Sequence, residues 1–186
     1  AYIADWFGHW LQGKPLSVVG PEPVRIFRMG GGDGSRTASG KINHGGEWRT
    51  AAGWPPPAAN AVRYYIHAGG GLSTQLPSRA GAPSSYDYDP HNPVPTIGGR
   101  YGGGAVTPGC AQDQVCTSKI LGCDSTKPLN SRPDVLSFST APLTAPIEVT
   151  GNIRARYWVS SDAPDTDFTA KLIDVYPPNP DYPPGY

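Results

Sequence analysis

The sequence lacks a charge imbalance and a long apolar run, and both absences exclude classes of partner. Among 186 residues, 15 Lys and Arg balance 15 Asp and Glu, so the formal net charge at pH 7 is zero. A protein without a basic excess has no overall field that attracts DNA, RNA or an anionic membrane. No stretch approaches the roughly 18 apolar residues of a membrane-spanning helix. The opening AYIADWFGHW also lacks the charged start and apolar middle of a signal peptide. We expect no nucleic-acid partner and no membrane span.

Cysteine is scarce, and the cysteines present bear on the cellular compartment. Cys110, Cys116 and Cys123 lie in one Gly-, Pro- and Ser-rich stretch. Their spacing suits a small disulfide ring that leaves one thiol over, with free thiols as the alternative. A zinc site would need a fourth ligand and usually a C-x-x-C pair, and neither is present. A disulfide would favour a secreted or periplasmic location, and a cytoplasmic location stays open.

The signatures of several catalytic and cofactor-binding classes are absent as well. No serine stands in a G-x-S-x-G elbow, the turn that exposes a nucleophile to its histidine base. The glycine run over 30–34 is not followed by a helical pattern, and ASGKI does not complete a P-loop. The histidines are scattered and favour ordinary polar or loop roles: His9, His44, His67 and His91. We assign no catalytic residue and expect neither a metal nor another cofactor.

The composition instead indicates a loop-rich, mainly β domain. Gly 24 and Pro 22 are high, but 38% hydrophobic residues argue against simple disorder. Residues 3–12 place apolar side chains at helical spacing before Gly13, which predicts a short amphipathic helix. Alternating character predicts strands within 23–30, 62–70, 134–140, 147–161 and 167–176. The stretches 30–57 and 77–110 are rich in Gly and Pro and predict long structured loops.

Two groups of side chains invite a binding interpretation. Asp162, Asp165, Asp167 and Asp174 suggest a calcium site, but their spacing is not that of an EF-hand loop, and turn or strand-end roles suit them better. The aromatics could line a sugar- or peptide-binding face, although core positions are the commoner role. They are Trp6, Trp10, Trp48, Trp54, Tyr64, Tyr65, Tyr86, Tyr88, Tyr101, Tyr157 and Trp158.

Several motifs, kept in order along nearly the whole chain, carry a family resemblance. They are DWFGHWLQGKP, PVRIFRMGGGDG, NHGGEWRTAAGWPPP, YYIHAGGGLS, YDYDPHNPVPTIGG and RPDVLSFSTAPLTAPIEVTGNIRARYWVSSDAPDTDFTAKLIDVYP. In this order they resemble the C-terminal half of the cocaine-esterase and X-prolyl dipeptidyl aminopeptidase (CocE/NonD) hydrolases. Members of that family are serine hydrolases with an α/β-hydrolase domain, a helical cap and a C-terminal jelly-roll β-domain. They cleave ester, amide or X-Pro peptide bonds.

The resemblance implies a division of this chain. Residues 1–20 would be the last helix of an α/β-hydrolase domain, and 21–186 the first part of a jelly roll, a galactose-binding-like β-sandwich. The Ser, Asp, His catalytic triad of that family would precede this sequence, so His9 is given no catalytic role. Asp165, Asp167 and Asp174 would make buried or edge hydrogen bonds, and Phe168, Leu172 and Val175 would be core. The expected partners are the missing hydrolase domain and the remaining strands of the same protein.

Two alternatives remain at this stage. The chain could be a freestanding β-sandwich module that binds a carbohydrate or a protein, because a fold alone does not establish a function. It could also associate with separate chains through an open sheet edge, and a homo-oligomer stays open.

Overall fold

The computed structural model describes most of the chain as two compact units. One unit comprises described residues of 2–60 and 148–176, and the other comprises described residues of 61–147. Within them the structure describes 2–16, 22–31, 35–40, 43, 45–78, 81–98, 112–118, 120–123 and 125–176. These residues contain four strands, one α-helix and one 3₁₀-helix, so their regular structure is β-rich.

The helix α1 runs over Tyr2–Gln12, which confirms the helix predicted from residues 3–12. It ends because Gly13 adopts a left-handed conformation with φ of 65°, which glycine reaches without a Cβ penalty. His9 closes the same end of α1, since its Nδ1 donates a hydrogen bond to the carbonyl of Lys14 at 2.7 Å. Among the residues described, no helix has the length and apolar character to cross a membrane.

The strands β1 (Val24–Arg28) and β2 (Glu47–Ala51) form an antiparallel hairpin in the first unit. Val24 pairs with Ala51 at one end and Arg28 with Glu47 at the other. The predicted strand within 23–30 is confirmed. The prediction of a continuous loop over 30–57 is wrong, because β2 lies inside it. EWRTA carries no clear alternation of polar and apolar residues, and the glycines on both sides are loop signals.

Charged side chains tie the stretch after residue 147 to this hairpin. Arg28 bridges Glu47 of β2 (Nη2 to Oε1, 2.5 Å) and Glu148 (Nη1 to Oε2, 3.0 Å). The hydrogen bond from Arg28 is the largest cause that lowers the pKa of the Glu148 carboxyl, and a second comes from Thr150. The guanidinium of Arg28 therefore holds three separate segments of the first unit together.

A second antiparallel hairpin, of β3 (Tyr65–His67) and β4 (Gly71–Ser73), lies in the other unit. It confirms a strand within 62–70, although a shorter one. The tight connection needs glycine, since Gly69 and Gly70 have φ of 78° and 83°. Ser139 adds a parallel bridge to β4, in which the Leu72 amide donates to the Ser139 carbonyl and the Ser139 amide to the Gly70 carbonyl, each at 2.8 Å.

The buried apolar cluster of the described residues is small and lies in the second unit. It consists of Ile97, Cys116 and Leu129, with Ile120 and Cys123 packed against it. A backbone hydrogen bond joins the two segments that contribute to the cluster: the Cys116 amide donates to the carbonyl of Lys127 at 3.1 Å. Leu129 then begins the 3₁₀-helix Leu129–Ser131.

The predicted strands after residue 133 do not form in the described residues. Within 134–140 only Ser139 is bridged, and 147–161 and 167–176 contain no strand. Leu172 and Val175, predicted to be core, are 59% and 82% exposed within the described residues. The alternating apolar pattern is present, but no described sheet lies against it, and a strand of this kind needs a neighbour for its backbone groups.

Candidate functional site

An open cavity of about 250 Å³ lies in the unit formed by described residues of 61–147. Two turns of the chain contribute its lining, one from the YDYDPHNP stretch and one from the RPD stretch. The lining residues are Asp87, Asp89, Asn92, Arg132, Pro133 and Asp134. The candidate site is therefore formed by these two turns.

The first turn is formed by Asp89 and the proline that follows it. The carboxylate Oδ1 of Asp89 accepts the His91 amide at 2.9 Å, and its carbonyl accepts the Asn92 amide at 3.0 Å. Aspartate favours such turns because its short side chain reaches the backbone two residues ahead. The turn fixes the carbonyl and the side chain of Asn92 at the cavity.

The second turn starts where the 3₁₀-helix Leu129–Ser131 ends. The Arg132 amide donates to the carbonyl of Leu129 at 3.1 Å, and Arg132 itself is extended, with φ of −72° and ψ of 141°. This conformation follows from the sequence, because the proline at 133 disfavours helical angles in the residue before it. In extended backbone, side chains two residues apart share one side, so Arg132 and Asp134 can meet.

The guanidinium of Arg132 joins the two turns. Its Nε and Nη2 donate to the two carboxylate oxygens of Asp134 at 2.8 and 2.7 Å, a bidentate pair. Its Nη1 donates to Asn92 Oδ1 at 3.1 Å, and Nη2 also donates to the Asn92 carbonyl at 2.7 Å. The side chains of Arg132 and Asp134 are 19% and 6% exposed, so water competes little for these bonds.

The electrostatics of the cavity follow from this pair. Hydrogen bonds from Arg132, and then its positive charge, hold the pKa of the Asp134 carboxyl below its ordinary value, against the raising effect of burial. The negative charge of Asp134 therefore stabilises the guanidinium of Arg132. Asp87 and Asp89 are exposed at the rim. We interpret the site as a clamp between two loops, because its cation and its partly buried anion are directed at each other and not at a reacting group.

Sequence reasoning missed this clamp. Both stretches belong to the motifs that carry the family resemblance, but no local pattern marks Arg132 or Asp134 as site residues. The signal within reach was R-P-D, in which a proline forces an Arg and an Asp onto the same side. The Asn92 partner is 40 residues away, and no local pattern shows that separation closing.

The histidines that the structure describes occupy structural positions. His9 caps α1 and His91 lies in the Asp89 turn. His67 Nε2 lies 2.9 Å from Ser73 Oγ within the β3–β4 hairpin, and the same hydroxyl accepts the amide of Gln75 at 3.2 Å. His44 lies outside the described residues. No group of three or more His, Cys, Asp or Glu in the described part of the chain could hold a metal ion.

Two of the loop cysteines are joined in the structure. Cys116 and Cys123 form a disulfide whose Cα atoms are 5.3 Å apart. Cys110 lies outside the described residues. The disulfide lies in the buried cluster with Ile97 and Leu129, so it cross-links the chain within the buried apolar cluster of its unit.

The residues of the SSDAPDTDFTAKLIDVY stretch lie mostly at the surface. Asp165, Asp167 and Asp174 are exposed, so none of them is a buried carboxylate. Phe168 is half-buried, and its carbonyl accepts the Tyr157 hydroxyl at 3.4 Å. That bond links the two flanks of the turn at 162–165, whose start is fixed by the Ser161 hydroxyl accepting the Ala163 amide at 3.0 Å.

The aromatic residues do not form one binding face. Most of those named from the sequence are exposed, Tyr65 is half-buried, and Tyr101 lies outside the described residues. They divide between the two units, with Trp6, Trp10 and Trp48 in one and Tyr86 and Tyr88 in the other. Their expected place in a core is therefore wrong for the described residues.

Comparison with known proteins explains why the described polar side chains make structural contacts and form no reactive site. Residues 18–183 match the model of the X-Pro dipeptidyl-peptidase C-terminal non-catalytic domain. The chain belongs to this family. Membership fits the absence of a G-x-S-x-G elbow and the structural roles of the described histidines. The CocE/NonD resemblance drawn from the motifs is confirmed.

Relatives of this C-terminal non-catalytic domain include whole esterases. The chain is 36% identical over 181 residues to "Cocaine esterase" of Rhodococcus sp. (strain MB1 Bresler), which covers 92% of the chain and 27% of that protein. Two proteins named "Putative serine esterase", from Mycobacterium bovis and Mycobacterium tuberculosis, are each 27% identical over 178 residues, covering 94% of the chain and 23% of their length. The chain thus spans about a quarter of the relatives it matches. No solved structure matches it.

Proposed function

We propose that this C-terminal non-catalytic domain serves a serine hydrolase that cleaves ester, amide or X-Pro peptide bonds. The observation that carries the proposal is the family match over 18–183, together with 36% identity to an esterase across most of the chain. In such a reaction a serine attacks the carbonyl carbon, its proton passes to histidine, and the alcohol or amine leaves with a proton. Water then hydrolyses the acyl-enzyme. None of these groups is assigned to this chain.

The proposal includes an architecture. Residues 1–20 would belong to the last helix of an α/β-hydrolase domain, and 21–186 to the first part of a jelly-roll β-sandwich. Exposed apolar side chains support it, since α1 presents Trp6 and Trp10 in contact with each other, ring centroids 5.8 Å apart, at 49% and 65% exposure. A hydrolase domain of the same protein is the partner that would cover them. The further jelly-roll strands would cover Leu172 and Val175.

A location outside the cytoplasm is also part of the proposal. The Cys116–Cys123 disulfide supports it, because disulfides persist in oxidising compartments and are uncommon in the cytosol. Trapping free thiols by alkylation in intact cells, before and after reduction, would test it. Recovery of Cys116 and Cys123 as alkylated, reduced thiols without added reductant would overturn this part.

The central experiment is intact mass measurement of the native protein together with labelling by a fluorophosphonate probe, which reacts with activated serines. We expect a mass several times the 19.7 kDa of this chain and one labelled serine outside it. A native mass of 19.7 kDa without labelling would overturn the hydrolase assignment. A labelled serine within 1–186 would overturn the non-catalytic assignment of this chain.

A further inference from the structure

Arg25 lies at a junction of three elements of the first unit. Its guanidinium carbon is 5.3 Å from the ring centroid of Tyr2, at the start of α1, and 4.6 Å from that of Trp48, in β2. Its Nη1 also donates to the hydroxyl of Tyr2. Arg25 itself belongs to β1. Its side chain therefore connects β1 with both the helix and strand β2.

The backbones of α1 and of the β1–β2 hairpin do not pack against each other. No Cα atom of α1 comes within 8 Å of a Cα atom of β1 or β2. The chain between them includes Gly13 in a left-handed conformation, a residue that resists bending little. The cluster of Tyr2, Arg25 and Trp48 is thus a side-chain bridge between α1 and the β1–β2 hairpin.

The strand pattern explains why Arg25 is available for this bridge. Burial alternates along β1, so that Val24, Ile26 and Arg28 face inward, whereas Arg25 and Phe27 face outward. Phe27 pairs with Trp48 across the hairpin, with ring centroids 5.4 Å apart and planes at 67°. This edge contact fixes the Trp48 ring, leaving its face to the guanidinium. Arginine suits such a position because its planar group stacks on a ring while donating a hydrogen bond in another direction.

The geometry points to Arg25 as a latch that holds α1 in a defined position on the β1–β2 hairpin. This inference deepens the proposed function and rests on it in one respect, namely that α1 belongs to the hydrolase domain. If so, the latch joins that domain to the β-domain, and Arg25 is a positioning residue remote from the reacting atoms. The exposed face of Trp6 and Trp10 is then held at a fixed angle for the domain that covers it.

Hydrogen exchange on the full-length protein tests the latch directly. Arg25→Ala should speed exchange of the α1 amides by about two- to fivefold, the factor that corresponds to loss of an exposed cation–π contact. Amides of β1 and β2 should speed up less than those of α1, since their backbone ladder remains and only the diagonal contact of Arg25 with Trp48 is lost. Arg25→Lys, which keeps the charge but not the planar fork, should give a smaller increase.

Arg49→Ala is the matched control. It removes a charge from the same hairpin, where Arg49 pairs with Glu47 and not with α1, and it should leave α1 exchange unchanged. Tyr2→Leu should reproduce the effect of Arg25→Ala, and the double variant should exchange no faster than either single variant. Unchanged α1 exchange in Arg25→Ala, or an equal increase in β1 and β2, would overturn the latch.

The outcome can be separated from that of the proposed function. Failure of the wild-type protein to label with the fluorophosphonate probe would overturn the hydrolase assignment, and the exchange of α1 would still report the latch. A labelled wild-type protein whose α1 amides ignore Arg25→Ala would overturn the latch alone. If both hold, the Arg25→Ala protein should keep its labelled serine while α1 exchanges faster.

Discussion

Replacing Arg132 with alanine should destabilise the protein more than any other single surface-charge change in the cavity. The substitution leaves Asp134, a carboxylate with 6% exposure, without its bidentate donor, and leaves Asn92 without two bonds. The pair is partly buried, so its loss should cost more than the roughly 0–1 kcal/mol of an exposed pair and less than the about 3–5 kcal/mol of a buried one, and we expect about 2 kcal/mol.

The pH dependence of the unfolding free energy tests the same ion pair a second way. The folded-state pKa of Asp134 lies below its ordinary value of 3.8 because of Arg132. A lowered folded pKa contributes stability that is present above the unfolded pKa and is lost as the pH falls through the folded pKa. The wild-type protein should therefore lose this contribution below about pH 4, whereas Asp134→Asn has no such carboxyl to titrate and should show a shallower loss.

Urea unfolding followed by circular dichroism, at pH 7 and in steps down to pH 3, measures both effects. Arg132→Lys is the informative control, since it keeps the charge and loses the bidentate fork, and it should recover only part of the stability. An Arg132→Ala protein within about 0.5 kcal/mol of wild type would refute the clamp, because that is the range of ordinary surface substitutions. Identical acid profiles for wild type and Asp134→Asn would refute the electrostatic part.

Two further perturbations test packing. A Cβ at Gly46 would lie 2.6 Å from the Phe27 ring and 2.8 Å from a β1 carbonyl oxygen, so Gly46→Ala should lower stability by about 1–3 kcal/mol, measured as a drop in melting temperature. Gly53→Ala is the control, because its Cβ meets nothing within 4 Å, and an equal drop would contradict the explanation. Replacing Cys116 and Cys123 with serine should cost about 2–3 kcal/mol, from the entropy of a short loop, and unchanged unfolding in urea would count against the cross-link.

Local patterns predicted the elements whose signals are contained in a few residues. The helix α1 and strand β1 followed from periodicity and from glycine stops. Strand β2 was missed because Gly45, Gly46 and Gly53 surround a five-residue stretch without clear alternation. The stretches after 147 show the opposite error, since a correct strand pattern cannot form strands without a neighbouring strand to pair with.

The candidate site was harder to predict than the fold for a physical reason. The aspartates of 160–178 attract attention because they are close in sequence, yet Asp165, Asp167 and Asp174 are exposed in the structure. Arg132 draws its partners from its own turn and from a turn 40 residues earlier. Sequence patterns show which charged residues are close together along the chain. The stability of an ion pair depends instead on how close its groups are in space and on how buried they are.

The exposed apolar side chains and the family membership support each other. Trp158, Ile153 and Val175 are among the most exposed residues of the first unit, at 101%, 66% and 82%. Burying one such side chain contributes about 1.5–3 kcal/mol, so covering several would stabilise the chain by an amount comparable with the whole stability of a small domain. The chain spans 27% of the esterase it resembles. The proposed hydrolase domain and further strands would supply that cover, and Arg25 would hold α1 where the cover meets the β-domain.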